Sequence, residues 1–287
     1  MTTGREGQLG VTNHDRDVVA KRYVYPVVSR RAGGVSVGIN LNPNNACNWA
    51  CQYCQVPDLV RGKGPSIDLD RLAQELGEML AELVEGDFMA RRVPAGSREL
   101  KDIALSGNGE PTTSPQLGEA LQVIGAALER FELRGKLPVV LITNGSMLGK
   151  PRIQAAVRHL SELGGQVWCK LDGATDAALA RINGTPVAVD QHLARLRRAA
   201  SLCDTWIQTC MFARDGQPPA ADELNAYLAC LTDLARGEHA PSGVLLYTLA
   251  RPPLQPGAER LSALSQPWLA ELGERIEAAG LPVKVVS

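Results

Sequence analysis

The chain has no apolar run long enough to cross a bilayer, which takes about 20 consecutive apolar residues. Residues 1–22 are polar and charged with no apolar core, so they do not read as a secretory signal, and a cytoplasmic location is expected. An excess of either charge is also missing. Thirty Lys and Arg against 31 Asp and Glu leave a formal net charge of -1, which gives no global attraction to DNA, RNA or anionic lipid. Neither a membrane nor DNA is expected as a partner, and only Arg30 with Arg31 and Arg91 with Arg92 offer small basic patches. No internal repeat of roughly 20 to 50 residues is present, which sets aside solenoids and propellers. Without an export signal, the seven cysteines are not expected to form a disulfide framework. Cys169, Cys203, Cys210 and Cys230 lack any C-x-x-C pairing and read as small core residues. The four histidines, His14, His159, His192 and His239, show no metal-like spacing.

What remains is average globular material, 45% apolar and 21% charged over 287 residues, enough for one α/β barrel. Apolar residues alternate over 35–41, the mark of a strand, and the Asn-Pro-Asn-Asn run from Asn42 ends it. From Asp68 the set Leu69, Leu72, Ala73, Leu76, Leu80 and Leu83 recurs at helical spacing behind a capping acid. The alternation then repeats. Strands are predicted at 103–105, 139–142, 167–171, 206–212 and 244–249. Helices are predicted from Ser114-Pro115, around Ile153 to Leu163, over 190–202, over 224–234 and around Trp268 to Ile276. Six βα-type units imply a parallel sheet covered by helices, either open and doubly wound or curled into a barrel. Residues 1–34 are read as a leader, 35–250 as the catalytic domain and 251–287 as a helix and short strand-like extension.

Parallel α/β sheets place ligands at the carboxyl ends of their strands. Three glycine-rich or polar stretches fall there. The first is Cys47-Asn48-Trp49-Ala50-Cys51-Gln52-Tyr53-Cys54, a C-x3-C-x2-C loop. A four-iron cluster normally takes four thiolates, so three leave one iron open for a substrate or cofactor. The competing reading is a structural zinc loop completed by a distant Cys or His, in a protein without catalytic activity. The second stretch is Gly107-Asn108-Gly109-Glu110-Pro111, where glycine lets backbone approach a ligand and the acid suits a cation. The third is Thr143-Asn144-Gly145, which reads nearly as well as a simple turn. In the strand over 167–171, Lys170 shares a face with Asp172, and both would reach the mouth if that face is interior. Gln208 and Arg251 are weaker candidates of the same kind.

The cysteine loop, with an aromatic before its last cysteine, resembles the signature of the radical S-adenosylmethionine superfamily. That resemblance implies a partial (βα)6 TIM-like barrel and one [4Fe-4S] cluster on Cys47, Cys51 and Cys54. It also implies S-adenosylmethionine as cofactor, reductively cleaved to a 5′-deoxyadenosyl radical that abstracts hydrogen from a substrate. Tyr53, Gly107, Asn108, Gly109, Glu110, Asn144 and Gln208 become cofactor-binding candidates, with Glu110 toward the cofactor's ammonium and Tyr53 beside its adenine. Lys170 and Asp172 are the catalytic candidates. An external one-electron donor such as flavodoxin or ferredoxin is implied as partner.

The fuller pattern adds Pro26-Val27-Val28-Ser29-Arg30-Arg31, Ser-Gly-x-Gly-Glu-Pro-Thr and Thr-Asn-Gly. It is similar to the wyosine-type iron-sulfur oxidoreductases, related to enzymes that modify a tRNA base. Two features depart from those enzymes: no cysteine precedes Cys47, and no broad basic surface is evident. The expectation is therefore a radical enzyme of unassigned substrate, with tRNA modification as the alternative.

Overall fold

A computed structural model describes residues 9–10 and 21–286. In chain order its elements are β1 (Val24–Ser29), β2 (Gly34–Ile39), β3 (Ala46–Cys47), β4 (Val60–Arg61), α1 (Leu69–Val84), α2 (Phe88–Arg92), β5 (Leu100–Leu105), α3 (Leu117–Arg130), β6 (Val139–Thr143), α4 (Pro151–Glu162), β7 (Gln166–Lys170), α5 (Asp176–Asn183), α6 (Val189–Ala200), β8 (Asp204–Cys210), β9 (Phe212–Arg214), α7 (Ala221–Ala235), β10 (Gly243–Tyr247), β11 (Leu261–Ala263), α8 (Gln266–Ala278) and β12 (Val283–Val286).

The main sheet has eight strands in the order β1-β2-β5-β6-β7-β8-β10-β12. All neighbours are parallel except β1, which runs antiparallel to β2. One apolar cluster on the inner face draws on Ala104, Val140, Trp168 and Leu245, from β5, β6, β7 and β10. At about 4.8 Å per strand, a flat sheet would spread these over about 19 Å. Their packing together is the curl of a partial barrel. Outside it, the larger core gathers the apolar stripes of the helices, including Leu72, Leu76 and Leu80 of α1 and Leu121, Ile124 and Leu128 of α3.

The ends of the chain depart from the sequence reading. Residues 24–29, left there in the leader, form the edge strand β1, with Pro26 paired to Val37. Proline lacks an N–H and is tolerated on an edge strand, so its presence hid the element without preventing it. Residues 283–286, read as an extension, are the opposite edge of the same sheet, parallel to β10. Helix α5 was also missed, although Thr175 accepts from Ala178 N as its cap and Gly184, at φ 58°, ends it in the left-handed region. Its eight residues are too short for a strong helical period. The strand expected over 206–212 is interrupted at Met211, whose N–H donates to Tyr247 O at 2.9 Å. Beyond it, β9 pairs with β11 in a separate two-stranded ribbon.

Candidate active site at the mouth of the barrel

The cysteine loop is tied down on three sides. At its start, β3 pairs with β4, matching Cys47 with Arg61. Along its middle, the N–H groups of Ala50 and Gln52 donate to Asn183 O and Ile182 O at 3.0 and 2.9 Å, docking it on the last turn of α5. Those carbonyls are otherwise orphans of a helix terminus. Arg61 adds bonds to Asn48 O and Gly184 O at 3.0 and 2.7 Å. On the third side, Asn144 Nδ2 donates to Asn48 Oδ1 at 2.9 Å and Asn48 Nδ2 to Ser146 Oγ at 2.7 Å. Trp49 is buried beneath, 5.4 Å from the His192 ring.

Cys47, Cys51 and Cys54 are free thiols that all line one cavity. Burial pushes the Cys47 thiol up to about 11, reinforced by Glu110, and Cys51 up to about 12. Binding a metal must therefore displace protons. Among the described residues, no three Cys, His, Asp or Glu side chains converge on a single-ion site. A tetrahedral zinc needs its ligands around one point, whereas the thiolates of a cluster each hold a different iron. Three thiols from one loop, all on one cavity wall, are a donor set that suits a cluster.

The glycine turn packs directly against this loop. A Cβ on Gly109 would stand 2.0 Å from Ala46 O, and one on Gly107 would stand 2.3 Å from Asn40 Oδ1, so neither position admits a side chain. Glu110 follows, almost wholly buried. Its Oε1 accepts from the N–H and hydroxyl of Thr112 and from the Thr143 hydroxyl. Its Oε2 accepts from Asn144 N at 2.6 Å, and Glu110 lines the cavity. Burial raises the carboxyl's pKa, and the hydrogen bonds from Asn144, Thr112 and Thr143 oppose it. Glu110 thus fixes the Thr143-Asn144 turn. Asn108 is not on the cavity wall: its amide donates to Asn45 Oδ1 at 2.6 Å and its N–H to Asn40 Oδ1 at 3.1 Å.

Below the loop, Lys170 Nζ donates to the hydroxyls of Tyr53 and Tyr247 at 2.9 and 3.2 Å. Burial alone would lower its pKa, and the oxygens of Tyr247 and Asp172 outweigh that and hold the ammonium charged. The Tyr53 hydroxyl donates in turn to Asp172 Oδ2, which also accepts from Asn183 Nδ2 at 2.7 Å. Asp172 Oδ1 accepts from Cys210 N at 2.9 Å. The expectation that Lys170 and Asp172 both reach the mouth fails, because β7 ends at Lys170 and strand alternation does not extend to residue 172. Asp172 meets the site through Tyr53, Asn183 and Cys210 and faces a second cavity of about 360 Å³. Tyr53 packs its ring on Phe212 at 5.8 Å.

The cavity encloses about 290 Å³ and brings together most of the residues singled out from sequence: the three cysteines, Tyr53, Gly107, Gly109, Glu110, Asn144, Lys170, Gln208 and Arg251. Gln208 is fully buried, yet among the described residues neither atom of its amide group has a hydrogen-bond partner. A buried amide left unpaired is costly, so this one suits a place where a polar group could meet it. With the thiol set and the glycine cradle, this orphan makes the residues fit for a cluster and a polar cofactor. Missed from sequence were Asn183, which donates to Cys51 Sγ at 3.3 Å, and Tyr247 and Asp102. Only the interior alternation of Trp168 with Lys170 and of Leu245 with Tyr247 could have flagged this inner wall.

Comparisons with known proteins agree with this geometry. A "UPF0026 protein slr1464" of Synechocystis is 32% identical over 166 residues, covering 58% of this chain and 53% of that one. A "UPF0026 protein" of Helicobacter pylori is 28% identical over 139 residues, 47% of this chain and 38% of its own. The chain thus spans about half the length of the first of these relatives and less of the second. The crystal structure of a radical SAM methyltransferase from Sphaerobacter thermophilus shares the fold, with a TM-score of 0.59 at 19% identity, over 88% of this chain and 66% of that one. Residues 41–216, which run from the cysteine loop to the end of β9, match the sequence profile of the Radical SAM superfamily, and the chain belongs to it.

Proposed function

We propose that this enzyme cleaves S-adenosylmethionine reductively in the barrel mouth and uses the product to take hydrogen from a substrate held deeper in the same cavity. The observation carrying the reading is that Cys47, Cys51 and Cys54 share one cavity with the glycine cradle, Glu110 and the unpaired amide of Gln208. A [4Fe-4S] cluster and S-adenosylmethionine bound there supply the one-electron cleavage that yields a 5′-deoxyadenosyl radical. The three cysteines hold the cluster. Gly107 and Gly109 bring backbone within reach of the cofactor, and the remaining lone pair of Glu110 Oε2 receives its ammonium. Gln208 offers both a donor and an acceptor farther along β8. Lys170, Tyr53 and Asp172 form a fixed polar wall that orients what lies beyond, and a small one-electron donor such as flavodoxin or ferredoxin is the partner this chemistry calls for.

The test is anaerobic reconstitution with iron and sulfide, reduction by dithionite with S-adenosylmethionine, and chromatography for 5′-deoxyadenosine. Formation by the parent protein and not by Cys51→Ala supports the reading. One tightly bound zinc per chain with no cleavage rejects it.

A further inference from the structure

Arg30 and Arg31 belong to the β1–β2 hairpin, and on sequence alone they suggest a small surface patch. They line the cavity instead. The Arg31 guanidinium lies 5.2 Å from the centre of the Tyr247 ring and 5.9 Å from that of Trp168. Lys170 Nζ lies 5.9 Å from the same Tyr247 ring. Two cations therefore flank one aromatic residue on the inner wall, Arg31 by cation–π contact with the Tyr247 ring and Lys170 by its bond to the Tyr247 hydroxyl. Arg30 is beside them, half-buried.

The charge around this end is unbalanced. Arg30, Arg31, Lys170 and Arg251 line the cavity against Asp102 and Glu110. Glu110 is committed to the Thr143-Asn144 turn, and Asp102 accepts from Ser36. Among the described residues, no carboxylate makes a salt bridge to Arg30, Arg31 or Lys170. Asp102 lies near Arg31 and Asp172 near Lys170, but partly buried cations with no carboxylate in direct contact are costly unless an anion completes them. Guanidinium forks match the paired oxygens of carboxylate and phosphate, and the Trp168 and Tyr247 rings supply an apolar wall for the carbon skeleton behind such a group.

We infer that the substrate is a small organic oxyanion whose charged end is held by Arg30, Arg31 and Lys170, with its carbon skeleton on Trp168 and Tyr247. This rests on reading the opposite wall, with its cysteines and glycine cradle, as the cofactor site. The hairpin arginines then set specificity by charge, and Lys170 is a shared contact between the anion and the Tyr53 network.

The test is calorimetric titration of the reconstituted protein, anaerobic and with S-adenosylmethionine present, using inorganic phosphate and succinate as separate probes. Saturable binding of at least one probe is expected, weakened at least about tenfold in Arg31→Gln and in Arg30→Gln, since each loses a charged hydrogen-bond donor. Arg134→Gln, an exposed residue paired to Glu129, should bind like the parent. Preference for phosphate marks a phosphorylated substrate, and preference for succinate a carboxylate. The inference is overturned if neither probe saturates, or if both hairpin variants bind as tightly as the parent. Formation of 5′-deoxyadenosine by the parent, assayed without probe, is read separately. Its absence beside intact anion binding removes the radical reading, whereas its presence without anion binding removes only the anion site.

Discussion

Lys170 Nζ lies 2.9 Å from the Tyr53 hydroxyl and 4.9 Å from the centre of the same ring, so one lysine holds the aromatic that precedes the last cysteine by its hydroxyl edge. The hydroxyl passes the contact on to Asp172, and Asp172 to Asn183, whose other amide bond reaches Cys51 Sγ. A chain of polar contacts therefore runs from the inner wall of the cavity to the cysteine loop.

Tyr53→Phe cuts that chain at its centre. Asp172, 2% exposed, loses one of three donors and Lys170 one of two acceptors. Leaving buried charged groups short of a partner costs about 1–3 kcal/mol. Urea unfolding of the variant should show a lower midpoint at unchanged slope, and an unchanged midpoint would mean the hydroxyl bears no part of the load.

Asn183→Leu removes the N–H that points at Cys51 Sγ, 3.3 Å away. Hydrogen bonds to cluster sulfurs raise the reduction potential by stabilising the more negative reduced state. A bond worth ~1 kcal/mol corresponds to a fall on the order of 40 mV for one electron. Potentiometric titration followed by electron paramagnetic resonance measures this directly. Iron content should stay at the parent level, so a variant with full iron and an unshifted midpoint would contradict the assignment.

Gly109→Ala tests the cradle. The added methyl would stand 2.0 Å from Ala46 O, a backbone atom that cannot rotate away. Overpacking of this kind costs typically 1–3 kcal/mol, and here the displaced backbone leads straight into Cys47. The reconstituted variant should hold less iron than the parent and melt lower, while Gly96→Ala, with nothing within 4 Å of the added methyl, should do neither.

The site was more legible in the sequence than its surroundings were. Cys47, Cys51, Cys54 and the Gly107–Glu110 turn are local in the chain, so spacing alone could announce them. Gln208 was found because it follows strand alternation, but its unpaired amide is a property of packing that no spacing encodes. Asn183 was hidden: it is the last residue of a short helix, and its role depends on the loop docked against that helix end. Arg30 and Arg31 were seen as charges, but their direction was not. The hairpin that turns them inward depends on β1, an edge strand masked by Pro26. Strand identity in the middle of the sheet, where both faces are buried, was plain from runs such as residues 139–142, and the edge strand β1 was where it faltered.

Asp102 offers a prediction about pH. It sits inside the barrel on β5, 4% exposed, accepting from the Ser36 hydroxyl. Burial raises its pKa from the usual 3.8 to about 6, against the Ser36 bond and the nearby Arg31, which pull it down. The folded carboxyl therefore binds its proton more tightly than the unfolded one. Between pH 3.8 and about 6 the native state carries more proton than the unfolded chain, so stability falls as pH rises through that window. A shift of about two units corresponds to a total on the order of 3 kcal/mol. Asp102→Asn keeps the shape and removes the ionisation, and it should lose less stability than the parent over the same interval. Urea midpoints taken for both proteins at intervals from pH 4 to pH 7 give the difference curve, in which the other carboxyl groups cancel. A difference that opens between pH 4 and 6 in favour of the variant is the expected outcome, and parallel curves would show that Asp102 ionises in the barrel as freely as it does in water.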